Sequence, residues 1–234
     1  MNNQFGFSLA LSIAPFTFAS QAHADFDGPV FGSIIENKAV YFESSVELQR
    51  RMSAGSLTSA GLVTDLLQRI EALNKNGPAL NAVIEINPDA LQLAAQMDEE
   101  RSRGEERGPL HGIPVLVKDN LDTGDQMQTT AGSLSMVGLP AQRDAFVVQR
   151  LREAGAIIIG KANLSEWAYF RGYEVPSGWS GRGGQTRHPY DLSADPLGSS
   201  SGSAVGLAAG FSPLAVGTET NGSIIQPAAT SGVI

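Results

Sequence analysis

Two short segments, IPVLVK (113–118) and AIIIG (156–160), are apolar along almost their whole length, without the alternation of a strand that has one wet face. Such runs fit strands buried on both sides, as in a parallel sheet covered by helices on each face. Between them AFVVQRLREAG (145–155) is amphipathic at helical spacing, and after them the small-residue segment SAVGLAAG (203–210) suits a closely packed helix. PLAVG (213–217) suits one more buried strand. Alternating helices and buried strands predict an α/β domain around a largely parallel sheet.

The flanking segments agree. A helical pattern starts near Ser45, and residues 59–74 set Leu62, Leu66, Leu67, Ile70 and Leu73 on one face before Asn76-Gly77-Pro78 stops the helix. NAVIEI (81–86) is strand-like, and Asn87-Pro88 offers a cap and a first-turn proline for a helix over 88–104. That helix runs into EERSRGEER, read as a solvated surface loop. A further helix is expected from Asn163 through LSEWAYF, and 171–198 reads as loop. No repeat or heptad interrupts the pattern.

Composition removes several chemistries. The chain has no cysteine, which excludes thiol nucleophiles, disulfides and thiolate zinc sites. A net charge of −8 argues against a general nucleic-acid partner, which would need a basic face. No carboxylate–histidine spacing argues for a metal, and no cofactor is expected. Gly155 to Lys161 matches G-x-x-x-x-G-K, but Ala162 replaces the magnesium-holding Ser/Thr and AIII is strand-forming, so the segment cannot cradle a phosphate.

Gly198 to Gly202, GSSSG, fits the G-x-S-x-G form of a hydrolase nucleophile elbow. A Ser-His-Asp site of that kind needs its histidine after the serine, whereas the 34 residues after Ser200 hold no His and no Asp. An activated serine therefore needs another base, and a lysine whose neutral form is populated can serve. Lys118 and Lys161 both follow buried strands, and would arrive at the carboxyl edge where sites of open α/β sheets gather. These arguments do not choose between them. A second serine, Ser223, stands in GTETNGSIIQPA, whose glycines and asparagine permit a sharp turn with the free N–H groups of an oxyanion hole.

Three segments together, HGIPVLVKDN, GSSSGSAVGLAAG and GTETNGSIIQPAA, resemble the amidase signature family in order and spacing, and the likeness runs from about Ser45 to the last residue. The resemblance implies an amidase-signature fold, a mixed and largely parallel sheet flanked by helices, of which residues 25–234 would be the N-terminal portion. It implies an amidohydrolase with a Ser-Ser-Lys triad: Ser223 as nucleophile, Lys118 as base and Ser199 as relay. The Gly198–Ser199 peptide would be cis, the backbone N–H groups of Thr220, Asn221, Gly222 and Ser223 would form the oxyanion hole, and Ser200 would support the site through hydrogen bonds. The substrate would be a small-molecule or peptide amide. Leu197, Asn221 and Ile225 depart from the residues common in the family without removing a catalytic group. Family members are roughly twice as long, so residues 1–234 alone are expected to be unstable and inactive.

NLSEWAYFRG with SGWSGRGGQTRHPY resembles most the bacterial peptide amidases, which remove C-terminal amides and are exported. The N-terminus agrees with export: Phe5 to Ala19 is apolar, too short to span a bilayer, and Ala22-His23-Ala24 is a cleavage signature, although no Lys or Arg precedes it. Residues 1–24 are therefore read as a signal peptide of a secreted or periplasmic protein without stable membrane association. The alternatives are a glutamyl-tRNA amidotransferase of the A type, which shares the signature and works with partner subunits, and an inactive fragment.

Overall fold

The computed structural model describes residues 40–170, 172 and 174–234. The leader expected over residues 1–24 lies outside the described residues. After a short 3-10 turn at Val40–Phe42 come helices α1 (Ser45–Ser53) and α2 (Ser59–Ile70), strand β1 (Val83–Ile86) and helix α3 (Ala90–Ser102). Strand β2 (Pro114–Lys118), helix α4 (Phe146–Glu153) and strand β3 (Ile157–Ala162) form the parallel crossover that the two apolar runs imply. The hairpin strands β4 (Trp179–Ser180) and β5 (Gly184–Gln185), helix α5 (Ser201–Ala208), strand β6 (Leu214–Val216) and helix α6 (Ile225–Ser231) complete the order.

The main sheet runs β1-β3-β2-β6, with β2 parallel to both β3 and β6 and β1 antiparallel to β3. It is thus mixed and largely parallel, with helices on its faces. Alternation along the strands divides the core. Leu116, Ile157 and Ile159 share a cluster with Leu62, Val63 and Leu66 of α2, Ala94 of α3 and Val205 of α5. Val115, Val117 and Ile158 share the opposite cluster with Val148 of α4 and Met127. Because β2 and β3 are covered on both sides, every residue of each is buried.

Local chemistry fixes the helix starts. Ser44 Oγ accepts from Glu47 N and Thr58 Oγ1 from Gly61 N, as N-caps do. The Asp98 carboxylate of α3 accepts from Ser59 N and Ala60 N at 2.7 and 2.9 Å, tying the positive end of α2 to its neighbour. Asn87 caps Asp89 N through Oδ1 and donates through Nδ2 to Ile158 O, so the turn before α3 is anchored on β3.

Four expectations change. The helix from Asn163 does not form: Glu166–Tyr169 is one 3-10 turn, and Trp167, Ala168 and Tyr169 have φ of 54°, 53° and 73°. The local amides are claimed elsewhere, Ser165 N by Ser199 O and Trp167 N by Ala131 O, each at 3.0 Å, so a helical ladder loses its donors there. The 99–107 charge run is not simply solvated, for Glu100 is buried and ion-paired with Arg107, and Arg101 Nη2 donates to His111 O. The 171–198 loop contains the β4–β5 hairpin. The strand in PLAVG is only half-buried, because β6 is the edge of the sheet among the described residues.

Candidate active site

Lys118 is the last residue of β2 and is fully buried. Its Nζ lies 2.7 Å from Ser199 Oγ, 3.0 Å from Thr218 Oγ1 and 3.2 Å from Thr218 O. Among the described residues no carboxylate pairs with it, and burial alone pushes its pKa down to about 8. A neutral amine has two N–H groups and one lone pair. Two acceptors on Thr218 and one hydroxyl on Ser199 match that inventory.

Lys161 is buried just as deeply, with a pKa also pushed by burial to about 8, but it belongs to another environment. It stands in register with Val117, whereas Lys118 pairs with Ala162, so alternation turns the two amines to opposite faces of the sheet. Its Nζ donates to Leu121 O at 2.6 Å and to Thr129 Oγ1 at 2.9 Å, which pins the loop that follows β2. Of the two lysines that strand position left open, Lys118 is the one that meets a serine.

Ser199 enters from the segment before α5, and the Gly198–Ser199 peptide bond is cis. A Cβ at Gly198 would fall 2.5 Å from Ser165 Oγ and 2.7 Å from the Tyr169 hydroxyl oxygen, so a larger residue there would have to displace those side chains. Ser199 O accepts from Ser165 N, and Ser165 Oγ accepts from Gly178 N at 2.8 Å, so Ser199 is held from two loops. Helix α5 presses against the strands because its residues are small. A Cβ at Gly202 would meet Ala82 O at 2.3 Å and Asn163 N at 2.5 Å.

Ser200 connects the serine segments. Its N–H donates to Ser223 O at 3.0 Å, its Oγ donates to Thr218 O at 3.1 Å, and Thr218 N donates back to that Oγ at 3.2 Å. Ser223 is largely buried in the turn between β6 and α6, with Gly222 at φ 78° allowing the reversal. The Ser223 hydroxyl makes no hydrogen bond among the described residues, so the direct contact observed is between Lys118 and Ser199.

The turn has an organiser that sequence reasoning missed. Glu219 Oε1 accepts from Gly222 N at 2.7 Å, while Oε2 accepts from Ile224 N at 2.7 Å and Ile225 N at 3.0 Å. The backbone donors at Ile225, Ile224 and Gly222 lower the Glu219 pKa. One of the four amides expected to face an oxyanion, Gly222 N–H, is therefore engaged by this carboxylate. The available signal was a carboxylate three residues before Gly222 and six before Ile225, where a helix N-terminus attracts an anion. Thr218 and Asn120 were also missed: Asn120 Nδ2 donates to Thr218 Oγ1 at 2.9 Å, extending the chain from Lys118.

His111 and His188 stay outside the site. His111 Nε2 meets Met97 O at 2.8 Å, and His188 Nε2 meets Thr230 O at 2.9 Å, both as ties between segments. Among the described residues no cluster of His, Asp and Glu has the makings of a metal site, and no helix is long and apolar enough to cross a membrane.

Comparison with known proteins gives this geometry a context. The sequence model of the family described as Amidase matches residues 61–234. The chain superposes on the native peptide amidase of Stenotrophomonas maltophilia with a TM-score of 0.78 and 57% identity, covering 80% of this chain and 38% of that one. It is 50% identical over 188 residues to a Schizosaccharomyces pombe protein carrying an amidase name, covering 80% of this chain and 32% of the relative. It is 45% identical over 193 residues to the A-type component of the glutamyl-tRNA(Gln) amidotransferase of Symbiobacterium thermophilum, covering 82% and 38%. The chain thus spans about a third of the length of the proteins it matches.

Proposed function

The chain belongs to the amidase family, and on that premise we propose that the protein hydrolyses carboxamide C–N bonds through a serine acyl-enzyme, with C-terminal peptide amides as substrates. The observation that carries this reading is the 2.7 Å contact between a buried, carboxylate-free Lys118 Nζ and Ser199 Oγ, with Ser223 tethered to the residue after Ser199.

In the proposed mechanism Ser223 Oγ attacks the amide carbonyl carbon. Its proton passes to Ser199 Oγ, whose own proton passes to the lone pair of neutral Lys118. With a pKa of about 8, roughly a tenth of Lys118 is neutral at pH 7, about 300-fold more than for an unperturbed lysine. The amides of Thr220, Asn221 and Ser223 are the candidates to stabilise the oxyanion, since Gly222 N–H is held by Glu219. The C–N bond breaks as the proton on Lys118 returns through Ser199 to the departing amine. Water then attacks the acyl ester by the same route, releasing the acid and free Ser223.

The peptide-amide preference is supported by the 57% identity to a peptide amidase. A second reading, the A-type component of a glutamyl-tRNA amidotransferase, is favoured by the 45% identity to such a protein. Export with cleavage after Ala24 would separate them, because it accompanies the peptide-amidase reading alone. The direct test is incubation with a peptide amide while ammonia is measured, alongside fluorophosphonate labelling of Ser223. Ammonia release with labelling is expected; the absence of both would favour an inactive chain.

A further inference from the structure

An Asn-Gly pair occurs twice in the chain, at Asn76-Gly77 and at Asn221-Gly222, and the second stands immediately before Ser223. Such a pair is open to deamidation, because glycine has no side chain to keep its backbone nitrogen away from the carboxamide carbon of the asparagine before it. Asn221 is exposed, so water reaches it.

The two pairs differ in what the glycine nitrogen does. Gly77 is exposed, and its N–H makes no hydrogen bond among the described residues. Gly222 N–H donates to Glu219 Oε1 at 2.7 Å, and Oε2 of the same carboxylate accepts from Ile224 N and Ile225 N, so the chain is fixed on both sides of Ser223. To attack a carboxamide, a backbone nitrogen must give up its proton and develop negative charge. At Gly222 that charge would face an anionic oxygen 2.7 Å away, which repels it. Glu219 is also a poor acceptor for the proton, since its backbone donors lower its pKa. The contact therefore opposes ring closure.

We propose that Asn221-Gly222 is a modification site, a latent point of succinimide formation that the Glu219 carboxylate holds closed. In the suppressed step Gly222 N bonds to Asn221 Cγ and the Cγ–Nδ2 bond breaks. The Nδ2 amino group leaves as ammonia, carrying the proton that Gly222 N gives up. Water then adds to one imide carbonyl and opens the ring to aspartate or isoaspartate at position 221, the latter with one extra atom in the main chain. The consequence rests on the amidase reading. Either product sets a carboxylate beside the amides proposed to hold the oxyanion, where like charge is repelled, and isoaspartate also displaces Ser223.

The test ages the intact protein at mildly alkaline pH and follows both pairs by peptide mapping that separates asparagine, aspartate and isoaspartate. This readout needs no activity. In the unsubstituted protein, product should accumulate at Asn76 and hardly at Asn221. Glu219→Ala should speed the Asn221 reaction about tenfold or more, the rate equivalent of one charge-assisted hydrogen bond, and Glu219→Gln should fall between. Thr58→Ala removes the cap of α2 away from this turn and controls for a general loosening of the fold. The proposal is overturned if Asn221 reacts as fast as Asn76 in the unsubstituted protein, or if Thr58→Ala speeds it as much as Glu219→Ala does. An unchanged rate in Glu219→Ala also overturns it, as does a slower one, which would make Glu219 a base for the reaction. The extent of fluorophosphonate labelling of Ser223 is scored separately, on fresh and aged Glu219→Ala. Labelling that disappears as Asn221 is lost supports the consequence, and labelling retained by the modified chains overturns it. No labelling of the fresh unsubstituted protein sinks the amidase reading and leaves the mapped site standing.

Discussion

Lys118 and Lys161 stand near the ends of neighbouring parallel strands but project to opposite faces of the sheet, because Lys161 is in register with Val117 and Lys118 with Ala162. One amine therefore meets Ser199 and Thr218, and the other meets the loop carbonyl of Leu121. Both lose solvation, and burial outweighs the more distant carboxylates around Lys161, so both have pKa values near 8. The same physics thus supplies a proposed base on one face and a loop anchor on the other.

The proposed roles differ in their sensitivity to truncation. Ser223→Ala and Lys118→Ala should each reduce kcat by about 10⁴-fold or more, while Ser199→Ala should leave measurable turnover through water. Steady-state ammonia release by the intact protein checks this. A harmless Ser223→Ala with a total loss in Ser199→Ala would reverse the assigned roles.

The pH profile follows from Lys118. Only the neutral amine can accept a proton, so kcat/KM should rise with pH and level off above an apparent pKa of about 8. A profile already flat between about pH 6 and pH 9 would remove Lys118 from the base role.

Stability should also climb with pH. Well below about pH 8 both lysines are charged whether the chain is folded or not, so the slope is zero. Between about 8 and 10.5 the folded state has lost these protons and the unfolded state has not, so folding gains up to about 3 kcal/mol per lysine as pH rises. Urea midpoints at about pH 7.5 and pH 10 measure this, and Lys161→Met should remove about half of the rise.

Glu219 tests the turn that carries the proposed nucleophile. Losing its three backbone contacts in Glu219→Ala should slow fluorophosphonate labelling of Ser223 by roughly tenfold to a hundredfold, since small misplacement of a nucleophile is costly in rate. Glu219→Gln keeps one oxygen acceptor and should fall between. Unchanged labelling in Glu219→Ala would show that the turn holds itself.

Close helix packing makes Gly202 intolerant. In Gly202→Ala the new methyl would sit 2.3 Å from Ala82 O, against backbone that cannot swing away, and about 3 kcal/mol of stability should be lost. Ala204→Gly serves as the control at a nearby position of α5, with a loss of about 1 kcal/mol. Thermal unfolding of both variants decides it.

The apolar runs IPVLVK and AIIIG determined the centre of this fold on their own, because a strand covered on both faces must be apolar throughout. The spacing of Lys118, Ser199 and Ser223 likewise carried the family and its candidate residues. What the sequence could not reach was set by contacts between distant segments. The turn at Trp167 follows from amides bonded to Ser199 O and Ala131 O, with nothing in LSEWAYF to announce it. Glu219 carries no mark in the sequence of the role its carboxylate takes, which is to accept from the amides of Gly222, Ile224 and Ile225 once the chain has folded. The register of β2 against β3, a one-residue relationship between strands far apart in the chain, sets which face of the sheet each of Lys118 and Lys161 takes. Period and residue type are local properties and survive in the sequence, whereas the face on which a side chain meets its partner exists only once the strands are paired.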